Sequence, residues 1–196
     1  MHSVRFILLV FSISSIIFGA CKNDTQKANP SPKVISTAVP VPVITEDVKM
    51  ALSKLSDVTP SEGTLVHQLF EFAQSGQYDL GTEFKFLDLQ WKSNTAEWKA
   101  NSDKEIVDLA RFMTEFPKMI IKIEAYTDNE GDDQKNLKLT EARVHAIKSK
   151  LKDAGIADER VIAEGMGEKY PVGDNKIIEG RMINNRVVVT LRRFNQ

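Results

Sequence analysis

The chain has 196 residues, which allows one domain of ordinary size together with attached segments. Its hydrophobic fraction of 42% and its charged fraction of 27% are typical of a globular protein with a core. The formal net charge is −1, so there is no excess of positive charge; we expect no nucleic-acid partner, and any binding must come from a local site.

The first 20 residues have the pattern of a cleaved signal peptide. Arg5 supplies a positive start, an apolar run follows over residues 6–18, and two small residues precede Cys21. The apolar run is shorter than the roughly 20 residues that a transmembrane helix needs. Cys21 is the single cysteine, so an intrachain disulfide is excluded, and its position resembles the cysteine of a bacterial lipobox. We therefore expect residues 1–20 to be removed and Cys21 to be lipidated, which would anchor the chain in a membrane.

Residues 21–44 are expected to form a disordered tether. They are polar at first and then rich in proline, and they offer few large apolar side chains for burial. About 20 such residues reach roughly 60 Å when extended. Residues 45–80 are expected to form a short helical extension, with one helix at 45–55 capped by Thr45 and another at 61–74.

Residues 81–196 carry the pattern of one compact domain. In chain order, the spacing of apolar residues first predicts a strand at 84–91, a helix with a capping box at Ser102 and Glu105, and a strand at 119–126. A helix capped by Thr140 and a strand at 161–164 follow. A loop at 166–180 and a strand at 186–193 complete the domain. Crossovers between parallel strands are right-handed in nearly all proteins, so the natural arrangement is a mixed sheet covered by helices. The expected fold class is α/β, with the element order βαβαβ-β.

The sequence contains no motif that would make this domain an enzyme or a metal protein. His67 and His145 stand without a serine or cysteine nucleophile or a second metal ligand at motif spacing. The acidic loop at 128–133 lacks the calcium pattern, since Gly131 is misplaced for an EF-hand and Leu139 replaces the bidentate glutamate. We therefore expect no catalytic activity, no cofactor and no metal.

The pair of Asp128 and Arg143 is the most informative feature of the domain. Arg143 would fall in the first turn of the helix predicted to begin at Thr140, where the helix dipole disfavours a cation. An ordinary surface arginine is one interpretation. The other is an anion site, in which the guanidinium and the N–H groups of the helix start hold a carboxylate. Asp128 would end the preceding strand at the same edge of the sheet and bind an ammonium, so the pair suits a zwitterionic amino acid.

Four ordered motifs of this domain resemble those of the OmpA-like, peptidoglycan-associated family. They are Tyr126-Thr127-Asp128 with Gly131, Asn136 with Leu139, Thr140 and Arg143, Gly165 with Gly167, Glu168 and Pro171, and Gly180-Arg181 with Asn184 and Arg186. The resemblance covers residues 63–193 of this sequence. Two departures stand out: Asn185 occupies the place of a family arginine, and Trp91 and Trp98 replace smaller apolar residues.

The resemblance implies non-covalent binding of peptidoglycan through the diaminopimelate of its stem peptide. The aspartate and the arginine of the family motifs correspond to Asp128 and Arg143, the pair selected above on physical grounds. The resemblance places further residues at the site, namely Thr127, Asn136, Asn94, Thr95 and Arg186. It also implies a lipid-anchored outer-membrane protein whose domain lies in the periplasm and ties the outer membrane to the cell wall.

Three other functions compete with this one. A flagellar stator of the MotB type shares the domain but needs a transmembrane helix that carries a carboxylate, and the apolar segment at 6–18 contains none. A surface-displayed lipoprotein with an adhesive or host-directed role stays open, because Cys21-Lys22-Asn23-Asp24 resembles a short surface-export tail. An enzyme is disfavoured by the missing catalytic motifs. Independently of this choice, we expect the chain from about residue 63 onward to fold without the anchor.

Overall fold

The computed structural model of the protein describes residues 43–194. Its elements are α1 (Glu46–Lys54), α2 (Leu65–Ser75), β1 (Glu83–Lys85), α3 (Lys104–Glu115), β2 (Ile120–Tyr126), α4 (Asp133–Asp153), a 3₁₀ turn (Asp158–Arg160), β3 (Val161–Gly167), α5 (Ile178–Asn184) and β4 (Val187–Arg193). The expected signal peptide, Cys21 and nearly all of the expected tether lie outside the described residues. Within the described part, none of the helices has the length and apolar character that crossing a membrane requires.

The four strands form one mixed sheet in the order β1-β4-β2-β3. Strand β4 runs antiparallel to both of its neighbours, whereas β2 and β3 are parallel and are connected through α4. Residues Ile121, Ile123 and Ala125 of β2 alternate toward the interior, where α4 packs against β2 and β3. The prediction of a mixed α/β sheet with the order βαβαβ-β is therefore confirmed.

One apolar core joins the helices to the sheet. Rings of Phe72, Phe116 and Phe194 meet at centroid distances near 5 Å, with Phe72 and Phe194 at 5.4 Å and Phe116 and Phe194 at 5.0 Å. The two N-terminal helices belong to this core, because Val48 of α1 and Leu69 of α2 are completely buried in it. A fragment that starts near residue 63 would lose the apolar contacts of α1, so the place of the domain boundary stays a prediction.

The cap of the long helix α4 lies eight residues before the predicted cap, Thr140. Its cap is Asp132, whose carboxylate accepts a hydrogen bond from the backbone N–H of Lys135 at 3.0 Å. The prediction that Thr140 caps this helix is wrong. Thr140 is buried inside it, and its hydroxyl oxygen accepts a hydrogen bond from the N–H of Gly167 at 2.9 Å. Arg143 consequently lies in the third turn of α4, and the N–H groups of the helix start cannot help it to hold an anion.

The predicted capping box at Ser102 and Glu105 is also wrong. Helix α3 begins after Asp103, while the Ser102 hydroxyl donates to the carbonyl of Gln90 at 2.9 Å. Glu105 points into the protein and is only 3% exposed. Its carboxylate accepts backbone N–H bonds from Leu65 at 2.8 Å, Leu87 at 3.3 Å and Asp88 at 2.8 Å. Glu105 therefore joins the start of α2 to the chain after β1 instead of capping a helix.

Strand β1 is shorter than the predicted strand at 84–91 for the same reason. It covers Glu83–Lys85, and the N–H groups of Leu87 and Asp88 then turn to the Glu105 carboxylate instead of pairing with a strand. Residues 86–103, called the first loop below, carry an isolated bridge between Trp91 and Trp98. The alternating apolar residues of this stretch thus belong largely to a folded loop.

The predicted loop at 166–180 is more ordered than expected. Strand β3 extends to Gly167, and α5 begins at Ile178. The buried side chain of Asn184 accepts hydrogen bonds from the N–H groups of Val172 at 2.7 Å and Gly173 at 2.8 Å. A side chain at Gly180 would collide with the backbone carbonyl of Asp174. The glycine and asparagine of this motif therefore hold the loop against α5.

Strand β3 packs closely against α4 at Gly165, and replacement of this glycine by alanine tests the packing. A Cβ atom there would lie 2.7 Å from the Cα of Glu141, so the helix would have to move away from the sheet. We expect Gly165→Ala to lower the free energy of unfolding by about 2 kcal/mol, measured by urea denaturation. The control is Ile162→Ala on the half-exposed side of the same strand, which should cost less than half as much. Equal stability of the wild type and Gly165→Ala would contradict the close packing.

Candidate functional site

An open pocket of about 570 Å³ lies between the first loop, α4 and the junction of α5 with β4. Three of the residues expected at a binding site line it, namely Asn94, Arg143 and Arg186. Asn94 has a φ of 53°, a left-handed conformation that asparagine tolerates better than most residues. The lining residues come from a loop, a helix and a strand that are far apart in the sequence.

Arg143 is held in this pocket by neutral groups. Its Nε donates to the carbonyl of Thr95 at 3.0 Å, and its guanidinium lies 5.1 Å from the ring centre of Trp91. Burial lowers the pKa of the Arg143 guanidinium from its ordinary value, although arginine stays charged. Among residues 43–194, no carboxylate lies within 4.0 Å of this cation to form a salt bridge with it. A partly desolvated cation without a paired anion is suited to binding an anionic ligand.

Asp128 is connected to the pocket by a hydrogen bond with Asn185, which lines it. One of its oxygens accepts the N–H of Glu130 at 2.9 Å, and the other accepts a hydrogen bond from the side-chain amide of Asn185. Asn185 lines the pocket, whereas Asp128 itself does not. The neutral residue that replaces a family arginine therefore touches the expected ammonium-binding carboxylate directly, and it leaves that carboxylate without a cationic partner within 4.0 Å in the described part of the chain.

Thr127 and Asn136 lie behind the pocket and do not line it. The backbone N–H of Thr127 donates to the carbonyl of Gly167 at 2.8 Å, and the residue is 5% exposed. Its hydroxyl is buried without a hydrogen-bond partner in the described residues. Asn136 donates from its side-chain amide to the carbonyl of Glu130 and to the carboxylate of Glu168, each at 3.1 Å. These contacts fix the loop that carries Asp128.

Arg186 lines the pocket from a position directly before β4. Its guanidinium lies 3.7 Å from the ring centre of Tyr126, and it donates to the carbonyl of Tyr170 at 3.1 Å. Burial raises the pKa of the Tyr126 hydroxyl, and the nearby carboxylate of Glu124 adds to that rise. The ring and the carbonyl together fix the plane of this second guanidinium.

Several residues of the pocket were missed by sequence reasoning. In the sequence Trp91 stands out only as the replacement of a smaller apolar residue, yet its ring lies against the Arg143 guanidinium. Lys85, Lys92 and Lys99 also line the pocket, and no motif signal distinguishes them from surface lysines. Over residues 43–194, no group of three or more His, Cys, Asp or Glu side chains is arranged to hold a metal ion.

Comparisons with known proteins find relatives with outer-membrane names. A family model described as the OmpA family matches residues 90–186. Outer membrane porin F of Pseudomonas aeruginosa is 40% identical over 102 residues, which are 52% of this chain and 29% of the porin. The outer-membrane lipoprotein YfiB of the same species is 30% identical over 125 residues, 64% of this chain and 72% of YfiB.

The fold of this chain is similar to that of solved structures. The cell wall anchor of the T6SS from Pseudomonas aeruginosa superposes with a TM-score of 0.51 at 20% identity, covering 69% of this chain and 100% of that chain. The present chain spans only 29%, 31% and 45% of the first three curated relatives that it matches. The similarity to those relatives therefore concerns one domain of longer proteins.

Proposed function

Because this chain belongs to the OmpA family, we propose that its pocket binds peptidoglycan non-covalently and ties a membrane to the cell wall. The observation that carries the proposal is the Arg143 guanidinium, partly buried and held by a carbonyl and an aromatic ring, without a carboxylate partner in the described residues. Burying a charge is costly unless it is paired, and a ligand carboxylate would supply the missing pair.

The ligand group that suits the site is the diaminopimelate of the stem peptide. Its side chain ends in an amino-acid group, which carries both a carboxylate and an ammonium. Arg143 would hold the carboxylate with its unused N–H donors, and Asp128 would accept the ammonium beside Asn185. Asn94 and Arg186 complete the pocket around the ligand, and the Thr95 carbonyl holds Arg143 in place. Thr127 and Asn136 position the loop of Asp128.

The proposal is tested by sedimentation of the full chain with purified sacculi. We expect the chain to sediment with diaminopimelate-containing sacculi, and free diaminopimelate to release it. Sacculi that carry lysine at the same position form the matched control, because lysine keeps the ammonium but lacks the carboxylate. Equal sedimentation with both kinds of sacculi, or none with either, would overturn the proposal.

We also propose that Cys21 anchors the domain in the outer membrane and that residues 21–44 span the distance to the wall. The support is the sequence pattern described above and the lipoprotein YfiB among the relatives. We expect Cys21→Ala to abolish labelling by an alkyne fatty acid and to leave the signal peptide uncleaved, as read from the mass of the chain. Unchanged labelling of this variant would exclude Cys21 as the lipidation site.

A further inference from the structure

The pocket is lined by five cationic side chains and by no carboxylate among the described residues. The cationic cluster consists of Lys85, Lys92, Lys99, Arg143 and Arg186. The formal net charge of the whole chain is −1, so this concentration of positive charge is local to the pocket. A concave site with one sign of charge focuses its electric field and favours ligands of the opposite sign.

Most of this charge is not neutralised by the protein. Lys92 pairs with Glu97 at 2.7 Å, and Lys99 reaches only the neutral Gln90 at 3.3 Å. No salt bridge within 4.0 Å joins Arg143 or Arg186 to a carboxylate of residues 43–194. The pocket therefore contains two guanidinium groups whose charge is available to a ligand.

The two guanidinium groups are fixed separately. Arg143 rests against Trp91 of the first loop, whereas Arg186 rests against Tyr126 at the end of β2. Arg143 donates one N–H to a protein carbonyl. Arg186 donates two, to the carbonyls of Tyr170 and Asn184. Since a guanidinium has five N–H donors, each group keeps enough of them for a further carboxylate.

From this arrangement we propose that the pocket selects stem peptides with at least two free carboxylates. Arg143 takes the diaminopimelate carboxylate, and Arg186 takes a second one from the neighbouring acidic residue of the same peptide. Lys85 and Lys99, which also line the pocket, add electrostatic attraction for the anionic peptide. The inference rests on the proposed function and deepens it, because it predicts that amidation of the second carboxylate weakens binding although the diaminopimelate is intact.

Two synthetic peptides test this inference. The first is L-Ala-γ-D-Glu-meso-diaminopimelate with all carboxyl groups free, and the second differs only by an amide on the α-carboxyl of the D-Glu residue. By calorimetry with the full chain in detergent, we expect the amidated peptide to bind about tenfold more weakly, since it loses one charged hydrogen-bonding group. The variant Arg186→Gln should bind both peptides equally and with the lower affinity.

Arg192→Gln is the matched control, because it removes the same charge from an exposed position on β4 outside the pocket. It should keep the tenfold preference, and melting temperatures should show that both variants are folded. Equal and measurable binding of the two peptides to the wild type would overturn the inference but keep the proposed function. Absence of binding by either peptide would instead overturn the proposed function. A preference that survives in Arg186→Gln would remove Arg186 as the second carboxylate site.

Discussion

Replacing Glu105 with alanine is expected to lower the free energy of unfolding of the domain by about 4 kcal/mol. The buried carboxylate accepts backbone N–H bonds from Leu65, Leu87 and Asp88. Alanine would leave the buried N–H of Leu65 without an acceptor and would remove the protein acceptor of the two partly buried N–H groups. An orphaned buried donor costs about 1 to 3 kcal/mol. Because these donors belong to α2 and to the first loop, their loss should loosen two segments at once.

The measurement is urea denaturation, monitored by circular dichroism. Glu115→Ala at the other end of α3 is the control, since the half-buried Glu115 makes one ion pair, with the exposed Lys54 at 3.2 Å, and its loss should cost about 1 kcal/mol. Glu105→Gln keeps the shape of the side chain but offers one acceptor oxygen instead of two, so it should fall between the wild type and Glu105→Ala. A Glu105→Ala domain as stable as the control would show that the three N–H groups find other acceptors.

Replacing Arg143 with alanine is expected to weaken binding to diaminopimelate-containing sacculi by tenfold to a hundredfold, corresponding to about 1.5 to 3 kcal/mol. The guanidinium is the charge at which the proposed ligand carboxylate binds. Replacing Asp128 with alanine should weaken binding to the same sacculi to a similar extent, because the proposed ammonium would lose its acceptor. The double variant should lose less than the sum of the two effects, since both residues hold one end of one ligand.

Arg143→Lys separates charge from geometry. Lysine keeps the positive charge but lacks the planar fork that binds a carboxylate through two parallel hydrogen bonds, so affinity should still fall. Lys138→Gln, on an exposed position of α4 outside the pocket, controls for loss of one positive charge. If folded Arg143→Ala and Asp128→Ala domains sediment with sacculi as the wild type does, the two residues only stabilise the loop between them.

Much of the fold could be predicted from the sequence, because local patterns specify it. The alternation of Ile121, Ile123 and Ala125 marks β2, and helical spacing marks α3 and α4. The errors arise where a side chain acts over a long distance in sequence. Glu105 had the spacing of a capping residue, yet its partner Leu65 lies 40 residues away. Nothing in a local pattern distinguishes these two uses of a glutamate.

Asp128 and Arg143 could be proposed as site residues from the sequence, but the contacts that hold them could not. Asp128 and Arg143 were selected from their places at one sheet edge, although the argument from the helix start was wrong because Asp132, not Thr140, caps α4. The contact of Trp91 with Arg143 depends on how the first loop folds over the helix. Such contacts between a loop and a helix are set by tertiary packing, so the sequence alone could not indicate them.

The position of β4 in the sheet has a consequence for how the chain matures. It is the last strand described, yet it lies between β1 and β2, and Glu83 pairs with Thr190 across more than half of the chain. Until β4 has been synthesised, β1 has no partner strand among the described residues and β2 has an open edge. The four-stranded sheet therefore closes only after synthesis has passed Val187–Arg193, so a nascent chain that ends before β4 cannot hold β1 in place.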